Sequence, residues 1–381
     1  MCAVLAAIIV SVGVSRHADR LHQPAIAARL LGDRGEAEAQ RADLAFAAGD
    51  GAEAARAAAQ SLRWSLTHVE ALRVLGRVRD AASDPTGAQL VMLAGALSWR
   101  DAETQDWLLQ RTLAAGDYPG AMIHADALLR RKKKSAMVLR FLRLAAADAP
   151  FLEALASTLE TRPRWRAGLI QPEADTSEAE LAGLEIMLRR LARSAAPPRR
   201  EEVSPLAQTF FNRGQARRGL ALWQDLFPAD GAVVAPGRTA LLAWPSGARF
   251  DTPLAIDWHL SDDRAMSIAT DAGGPPVLDL ALEPGAFGRI ATRTFAAGAG
   301  VLTLRAAPAD DAGALDGIDW SVGCARGADR VYLARTGPGL WSTPLPGNCD
   351  AYDLALEVRR GGTQSETALR LGTVRIGISP R

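Results

Sequence analysis

Three alanines at a regular spacing constrain the fold of this chain more than any other feature. Ala54, Ala88 and Ala121 lie 34 and then 33 residues apart, each in an apolar stretch of helical period that follows a turn-like break. Two antiparallel helices joined by a short turn need a small side chain where they cross, because a methyl group lets the two backbones approach closely. The spacing therefore predicts a stack of helix pairs, which is an α-solenoid.

Turn residues recur in the same register as the alanines. Gly49-Asp50, Asp84-Pro85 and Gly116-Asp117 interrupt the apolar pattern, and the same kind of break follows at Gly214-Gln215. Repeated turns between apolar stretches are stronger support for helix pairs than helical periodicity alone. We therefore expect the solenoid to cover residues 35–230, with less regular pairs in its second half.

Two helix starts are predicted in that second half. Ser177 followed by Glu180 is a capping box, in which each side chain accepts a hydrogen bond from the other residue's backbone. Ser204 is expected to cap a later helix, with Pro205 at its first position, where proline is tolerated.

Residues at the characteristic repeat positions make the amino-terminal half resemble the tetratricopeptide repeat (TPR) family. Three repeats are readable over residues 35–135, with Arg79 standing where the repeat usually has an aromatic residue. The resemblance implies helix pairs whose concave face binds a protein partner. The residues that carry it, or pack in the implied register, are Ala54, Leu72, Leu75, Gly76, Ala88, Gly116, Tyr118 and Ala121.

A strand-and-turn pattern replaces the helical one near residue 233. Many apolar residues alternate with polar ones there, and Gly, Pro and Asp interrupt them at short intervals, which is typical of an antiparallel β-sandwich. We therefore predict an α + β multidomain chain in which a jelly-roll-like sandwich covers residues 235–381. The predicted strands are Thr239–Trp244, Pro253–His259, Met266–Thr270, Val277–Leu282, Val301–Arg305, Asp319–Cys324, Val331–Ala334, Tyr352–Val358 and Ala368–Ile378.

The first fifteen residues carry no charge. Their sequence, MCAVLAAIIVSVGVS, is shorter than the roughly 20 apolar residues that cross a bilayer, and it lacks the basic start of a signal peptide. We interpret residues 1–15 as an inner-membrane anchor, truncated if the true start lies upstream, followed by a linker helix over 16–34 and a periplasmic bulk. Arg16 and Arg20 oppose that orientation under the positive-inside rule. The alternative is an apolar first helix that caps the repeats.

Two cysteines lie in the predicted sandwich. Cys324 closes one predicted strand and Cys349 precedes another. We predict that they form a disulfide, which would suit an oxidising periplasm; the alternative is a pair of buried free thiols.

Aromatic residues in the sandwich offer candidate ligand contacts. Trp258 and Trp320 alternate with apolar neighbours and are expected in the core. Trp341 follows a Gly-Pro-Gly segment and is expected in an exposed loop. It and Tyr332 are the candidate platforms on which a sugar ring would stack.

No residue pattern indicates catalysis or a cofactor. The sequence lacks a nucleophile elbow, a P-loop, a zinc-protease helix and a dinucleotide fingerprint. A net charge of +1 gives no reason to expect nucleic-acid binding. No metal site is predicted, although the pairs Asp262-Asp263 and Asp310-Asp311 leave a calcium site open as an alternative to solvated loops.

The whole layout resembles membrane-anchored repeat proteins of alphaproteobacteria that end in a sandwich domain. Phe250 to Trp258, Cys324 and Cys349 are the landmarks of that resemblance. It implies a non-enzymatic scaffold of envelope or exopolysaccharide assembly, binding a protein through the solenoid and a polysaccharide through the sandwich. The alternatives are an accessory subunit of a polysaccharide-processing enzyme, or a sandwich that only caps the scaffold.

Overall fold

A computed structural model describes residues 34–244, 253–261, 266–270, 277–282, 287–308, 315, 317–325, 327–346, 348–358 and 367–380. The described chain is helical in its amino-terminal part and forms two sheets in its carboxy-terminal part, which confirms the predicted α + β class. It divides into two compact units, the first ending at Trp165 and the second beginning at Arg166. The predicted anchor at 1–15 and the linker up to residue 33 lie outside the described residues.

The first unit consists of helices that follow one another as pairs joined by short turns. Each odd-numbered helix is the first member of a pair and each even-numbered helix is the second. The helices are α1 (Arg34–Ala47), α2 (Gly51–Trp64), α3 (Val69–Ala81), α4 (Pro85–Leu97), α5 (Ala102–Ala114), α6 (Tyr118–Arg130), α7 (Ser135–Ala145) and α8 (Ala149–Glu160).

Aspartates start the second helix of each pair. The carboxylates of Asp50, Asp84 and Asp117 accept the backbone N–H of Glu53, Thr86 and Gly120 at 2.9, 2.9 and 3.0 Å. Each aspartate lies four residues before one of the spaced alanines in the sequence. The alanine period is therefore also the period of the helix caps, which supply acceptors for N–H groups that have no partner inside the helix.

Close backbone approach within the second pair depends on glycine rather than on Ala88. A Cβ atom added to Gly87 would lie 2.3 Å from the backbone nitrogen of Asp80, and one added to Gly76 would lie 2.8 Å from the carbonyl oxygen of Gly87. Ala54 and Ala121 are fully buried and Ala88 is 8% exposed, so all three alanines lie in the helical core as predicted. The predicted helical repeat is thus confirmed as a helix-pair architecture, while membership of the TPR family rests on the sequence resemblance.

An arginine joins three successive pairs of the first unit. Arg73 on α3 is buried, and its guanidinium lies 2.9 Å from Asp43 on α1 and 2.9 Å from Asp101, which caps α5. These ion pairs fix the stacking of neighbouring helices, because a buried guanidinium must keep its carboxylate partners.

The second unit begins with helices and ends with the sheets. Its helices are α9 (Arg166–Ile170), α10 (Glu178–Leu191), α11 (Arg200–Asn212) and α12 (Ala216–Leu226), followed by a 3₁₀ turn at Pro228–Asp230. The capping box of Ser177 and Glu180 is present at the start of α10, as predicted. The prediction that a helix begins at Ser204 is wrong. Helix α11 starts at Arg200, because Glu202 accepts the backbone N–H of Arg199 and so caps an earlier turn.

The strands form two sheets that enclose one apolar core. One sheet has the order β1-β6-β12-β8-β9 with β3 beside β6, and the other has the order β10-β11-β7-β13-β5-β4 with β2 beside β13. Pairing is antiparallel except between β1 and β6. The strands are β1 (Val233–Val234), β2 (Thr239–Leu242), β3 (His259–Leu260), β4 (Met266–Thr270), β5 (Leu278–Leu282), β6 (Gly288–Ala297), β7 (Val301–Pro308), β8 (Ile318–Cys324), β9 (Arg330–Tyr332), β10 (Ala334–Gly337), β11 (Leu340–Pro344), β12 (Tyr352–Val358) and β13 (Thr367–Ser379).

Tryptophans fill the centre of this sandwich. Trp258 and Trp320 are fully buried, as predicted, and their rings lie 6.0 Å apart. Trp244 adjoins Trp258 at 4.5 Å, so rings from separate parts of the chain form one row. The chain passes from β6 in one sheet to β7 in the other and back to β8, an alternation that is typical of jelly rolls and related sandwiches.

Four strand predictions need correction. The predicted strand Val331–Ala334 is divided between β9 and β10, which belong to different sheets. Residues 253–258 do not form a strand, because the carboxylate of Asp257 accepts the N–H of Leu254 and holds a turn there. Strand β6 has no counterpart among the predicted strands, because Arg289 and Arg293 interrupt its apolar pattern. Strand β11 lies where the Gly-Pro-Gly segment indicates a loop, because Gly339, with φ of +64°, completes a tight turn after Pro338 and returns the chain into the sheet.

Candidate functional site

The outer face of the sheet built on β6, β12 and β8 carries polar side chains. Alternate residues of β12, among them Leu354 and Leu356, belong to the core, so Asp353, Ala355 and Glu357 face outward. The pairing register of the strands shows which residues of the neighbouring strands lie on the same outer face. One row runs through Tyr332, Ser321, Ala355, Thr292 and His259, from β9 to β3.

A cleft lies between this face and the turn that joins α11 to α12. Its volume is about 240 Å³. That volume is somewhat below the roughly 300–1,000 Å³ typical of small-molecule pockets, and it suits one sugar-sized group or the end of a longer ligand. Its polar lining consists of Gln208, Asn212, His259, Thr294, Asp350 and Asp353.

Hydrogen bonds hold the cleft's walls in place. Arg217, at the start of α12, donates its backbone N–H to the carboxylate of Asp350 at 2.8 Å and its side chain to the carbonyl of Ala297 at 3.0 Å. Across the cleft, the hydroxyl of Thr294 donates to Asp353 at 2.6 Å. The two carboxylates are therefore positioned by the scaffold, and their remaining oxygen lone pairs can accept from a hydroxyl-bearing ligand.

A second polar cluster adjoins the cleft on the same sheet face. The Arg330 guanidinium donates to the hydroxyl of Ser321 at 2.9 Å and to the carbonyl of Asp353 at 2.8 Å, so it spans from β9 to β12. Glu357 accepts from Ser321 at 2.6 Å and from the Tyr332 hydroxyl at 2.7 Å. We call Arg330, Tyr332 and Glu357 the Tyr332 patch.

Protonation in the Tyr332 patch follows from these contacts. The hydrogen bond to Glu357 raises the pKa of Tyr332, so the phenol keeps its proton at neutral pH. Burial, with the nearby Arg289, lowers the pKa of Arg330, although its carboxylate neighbours oppose that shift. The patch thus presents one exposed aromatic ring, 58% accessible, whose hydroxyl is fixed by a carboxylate.

The structure separates the two predicted stacking residues. Tyr332 is exposed, but Trp341 is only 1% exposed, and its ring lies 6.4 Å from Trp320 in the core. The prediction of Trp341 as a ligand platform is therefore wrong. The physical reason is the hairpin of β10 and β11, which places Trp341 opposite Leu304 of β7 with its ring facing the other sheet.

The two cysteines of the sandwich are joined. Cys324 and Cys349 form a disulfide, with their Cα atoms 5.2 Å apart. The bond ties the end of β8 to the segment before β12, next to Ala325 and Asp350 of the cleft. It therefore braces one wall of the candidate site.

The residues predicted to pack the repeats belong to the first unit. Leu72 and Gly76 are buried, and Leu75 packs against the cluster formed by α1, α2 and α3. Gly116 has φ of +72° at the turn before α6, a conformation that favours glycine. Tyr118 is half-buried, and its ring packs edge-to-face with that of Phe151, with the two ring centres 5.5 Å apart. All of these residues serve packing, and none lines the cleft.

Cleft residues such as His259, Gln208 and Asp353 were not singled out from the sequence. Asp353 lies between the apolar residues Tyr352 and Leu354 on its strand, which is the signal of an outward side chain. Nothing in the sequence indicates that the α11–α12 turn covers that face. Among the described residues, no group of three or more metal-ligating side chains comes together. The pairs Asp262-Asp263 and Asp310-Asp311 lie outside those residues.

Comparisons with known proteins leave the family open. No protein-family model matches the chain, and no curated protein matches it either. Within the described part of the chain, no helix has both the length and the apolar character needed to cross a bilayer. The fold and the cleft are thus the basis for a functional proposal.

Proposed function

We propose that this protein is a non-enzymatic adaptor of the bacterial envelope. Its helical repeats bind a protein partner, and its sandwich binds a segment of polysaccharide in the cleft beside the Tyr332 patch. Residues 1–15 anchor it in the inner membrane, with the bulk in the periplasm. The observation that carries the proposal is the cleft itself, lined by amide, imidazole, hydroxyl and carboxylate groups.

The chemistry of the cleft favours a carbohydrate over an apolar ligand. Gln208, Asn212 and Asp353 supply both donors and acceptors, which matches the alternating hydroxyls of a sugar. Tyr332 supplies a flat ring on the same face, and sugar rings stack on such rings through their apolar C–H faces. The disulfide supports the periplasmic address, because such bonds persist in oxidising compartments.

A binding experiment with matched variants tests the carbohydrate proposal. The full chain in detergent is applied to a glycan array, and hits are measured by calorimetry. We expect Tyr332→Ala to weaken binding about tenfold and Tyr332→Phe to retain most of it, since the ring rather than the hydroxyl stacks. Phe287→Ala, which removes another aromatic ring that is 70% exposed, is the control. No binding to any glycan would reduce the sandwich to a structural cap.

The accessory-subunit alternative has one observation in its favour. Asp350 and Asp353 both line the cleft, and paired carboxylates are the groups that glycoside hydrolysis uses. An assay for new reducing ends, carried out on every glycan that binds and with Asp353→Asn as the control, separates the two proposals. Adaptor function predicts no release by the purified protein. A release that Asp353→Asn abolishes would favour the accessory-subunit alternative, in which the sandwich contributes to a catalytic cleft.

The address is tested separately. A reporter that is active only outside the cytoplasm, fused after Arg381, should be active in cells. Activity of a cytoplasm-specific reporter at the same position would contradict the periplasmic proposal, whatever the sandwich binds.

A further inference from the structure

One edge of the helical unit exposes apolar side chains beside basic ones. At this edge the second helix of each pair ends and the first helix of the next pair begins. Trp64 is the last residue of α2 and Leu97 the last residue of α4, and Leu66 and Trp99 lie two residues beyond them; Trp64, Leu66, Leu97 and Trp99 are 57%, 78%, 45% and 53% exposed. The equivalent segment after α6 is Arg131-Lys132-Lys133, all exposed. We call these three segments the junction edge.

Direct contacts show that the junction segments share an edge with the helix starts. The Arg34 guanidinium, at the first residue of α1, lies 5.7 Å from the centre of the Trp64 ring. The side chain of Gln105 on α5 donates to the carbonyl of Ser98 at 3.4 Å. Lys134 contacts Glu103 and Asp106, also on α5, at 2.9 Å each. These contacts place the junctions beside the starts of α1 and α5, and Lys134, which precedes α7, links the start of α7 to that of α5.

The three junction segments themselves carry basic and no acidic side chains, while Glu36 and Glu70 are exposed in the first turns of α1 and α3. Arg63 and Arg100 are exposed beside the two tryptophan segments, and the third segment is entirely basic. The acidic side chains nearest to that third segment, Glu103 and Asp106, are already paired with Lys134. Exposed Trp and Leu beside Lys and Arg is the composition that binds the interface of an anionic bilayer.

We propose that the junction edge docks on the surface of an anionic lipid bilayer. The inference rests on the proposed anchor, and Arg34, the first residue that the structure describes, lies on this edge. Only residues 16–33 separate Arg34 from the apolar segment 1–15, a span of at most about 65 Å when fully extended. An anchored chain therefore holds the junction edge within reach of the membrane, and Trp64, Leu66 and Trp99 enter the interface.

The proposal is tested by the depth of a fluorescent label. In a Cys2→Ser background, in which Cys324 and Cys349 stay disulfide-bonded, Leu66→Cys receives an environment-sensitive label. Ala115→Cys, exposed in the α5–α6 turn, is the matched control. It lies at the other end of helices about 20 Å long. The full chain is reconstituted in vesicles containing phosphatidylglycerol and a spin-labelled lipid that quenches near the interface.

We expect quenching of the label at position 66 and none at position 115. Lys132→Gln with Lys133→Gln should lower the ratio of docked to undocked protein about 30-fold, because each charge near an anionic surface contributes about 1 kcal/mol. Trp64→Ser with Trp99→Ser should lower it at least about tenfold. Circular dichroism shows whether these variants keep their helices.

The outcomes separate this inference from the anchor. Protein that resists alkaline extraction from the vesicles but leaves position 66 unquenched would overturn the junction-edge proposal and keep the anchor. Quenching at position 66 in protein that alkaline extraction releases would keep the junction-edge proposal and overturn the anchor. Disulfide-linked dimers of unlabelled Leu66→Cys under an added oxidant, together with no quenching in the labelled sample, would assign the edge to a second copy of the chain and refute the lipid proposal.

Discussion

The close crossing of α3 and α4 makes Gly87→Ala a sensitive test of how the repeats pack. In an unconstrained helix, replacing glycine by alanine gains about 1 kcal/mol of stability. At Gly87 the new methyl group would lie 2.3 Å from the nitrogen and 2.7 Å from the Cα of Asp80. Both are backbone atoms, so α3 and α4 must move apart, and overpacking of this kind costs about 1–3 kcal/mol. The expected net loss is therefore up to about 2 kcal/mol.

Gly51→Ala is the matched control. Gly51 also lies near the start of a second helix, but its new methyl would meet only Val78, at 3.9 Å. This substitution should leave stability unchanged or raise it by up to about 1 kcal/mol.

Urea unfolding of the full chain, followed by circular dichroism at 222 nm, measures both variants. The first helical transition should move to lower urea for Gly87→Ala and stay in place or move higher for Gly51→Ala. Equal behaviour of the two variants would refute the close crossing and the repeat register derived from it. The parallel substitution Ala121→Leu should also destabilise by about 1–3 kcal/mol, because Ala121 is fully buried.

Three further predictions concern single interactions. Arg73→Leu should lower the free energy of unfolding of the helical unit by about 3 kcal/mol, since it leaves the largely buried carboxylate of Asp101 without its partner, and urea titration checks this. The Cys324–Cys349 bond joins residues with a sequence separation of 25, so its reduction should destabilise the sandwich by roughly 3 kcal/mol. Added reductant should then lower the urea midpoint of unfolding detected by tryptophan fluorescence. Burial lowers the pKa of His124, against an opposing effect of Asp117, so the folded state favours the neutral ring. This preference stabilises the folded state fully above the ordinary histidine pKa of 6.5, and the stabilisation is lost as the pH falls below that value. When the pH is lowered from 7.5 to 5.5, the melting midpoint should therefore fall less for His124→Gln than for the parent chain.

The sequence by itself determined the features that depend on residues close together in the chain. The alanine period and the cap aspartates predicted the helix pairs, because a helix start and a turn are decided within four or five residues. Alternation of apolar and polar residues predicted most strands for the same reason, and it placed Trp258 and Trp320 in the core. The disulfide of Cys324 and Cys349 also joins two predicted elements in the place where the sequence suggested it.

Only the tertiary structure decided which side chains meet and which are covered. Trp341 follows a Gly-Pro-Gly segment, so its sequence context indicates a loop, yet pairing of β11 with β7 buries it. Strand β6 pairs with β12 and β1 although Arg293 interrupts its apolar pattern. The Arg293 guanidinium donates hydrogen bonds to the carbonyls of Ala243 and Asp230, which lie far away in the chain. The cleft, likewise, exists because the α11–α12 turn lies over Asp353. Contacts between residues distant in sequence depend on the packed arrangement of whole elements, so no local sequence pattern predicts them.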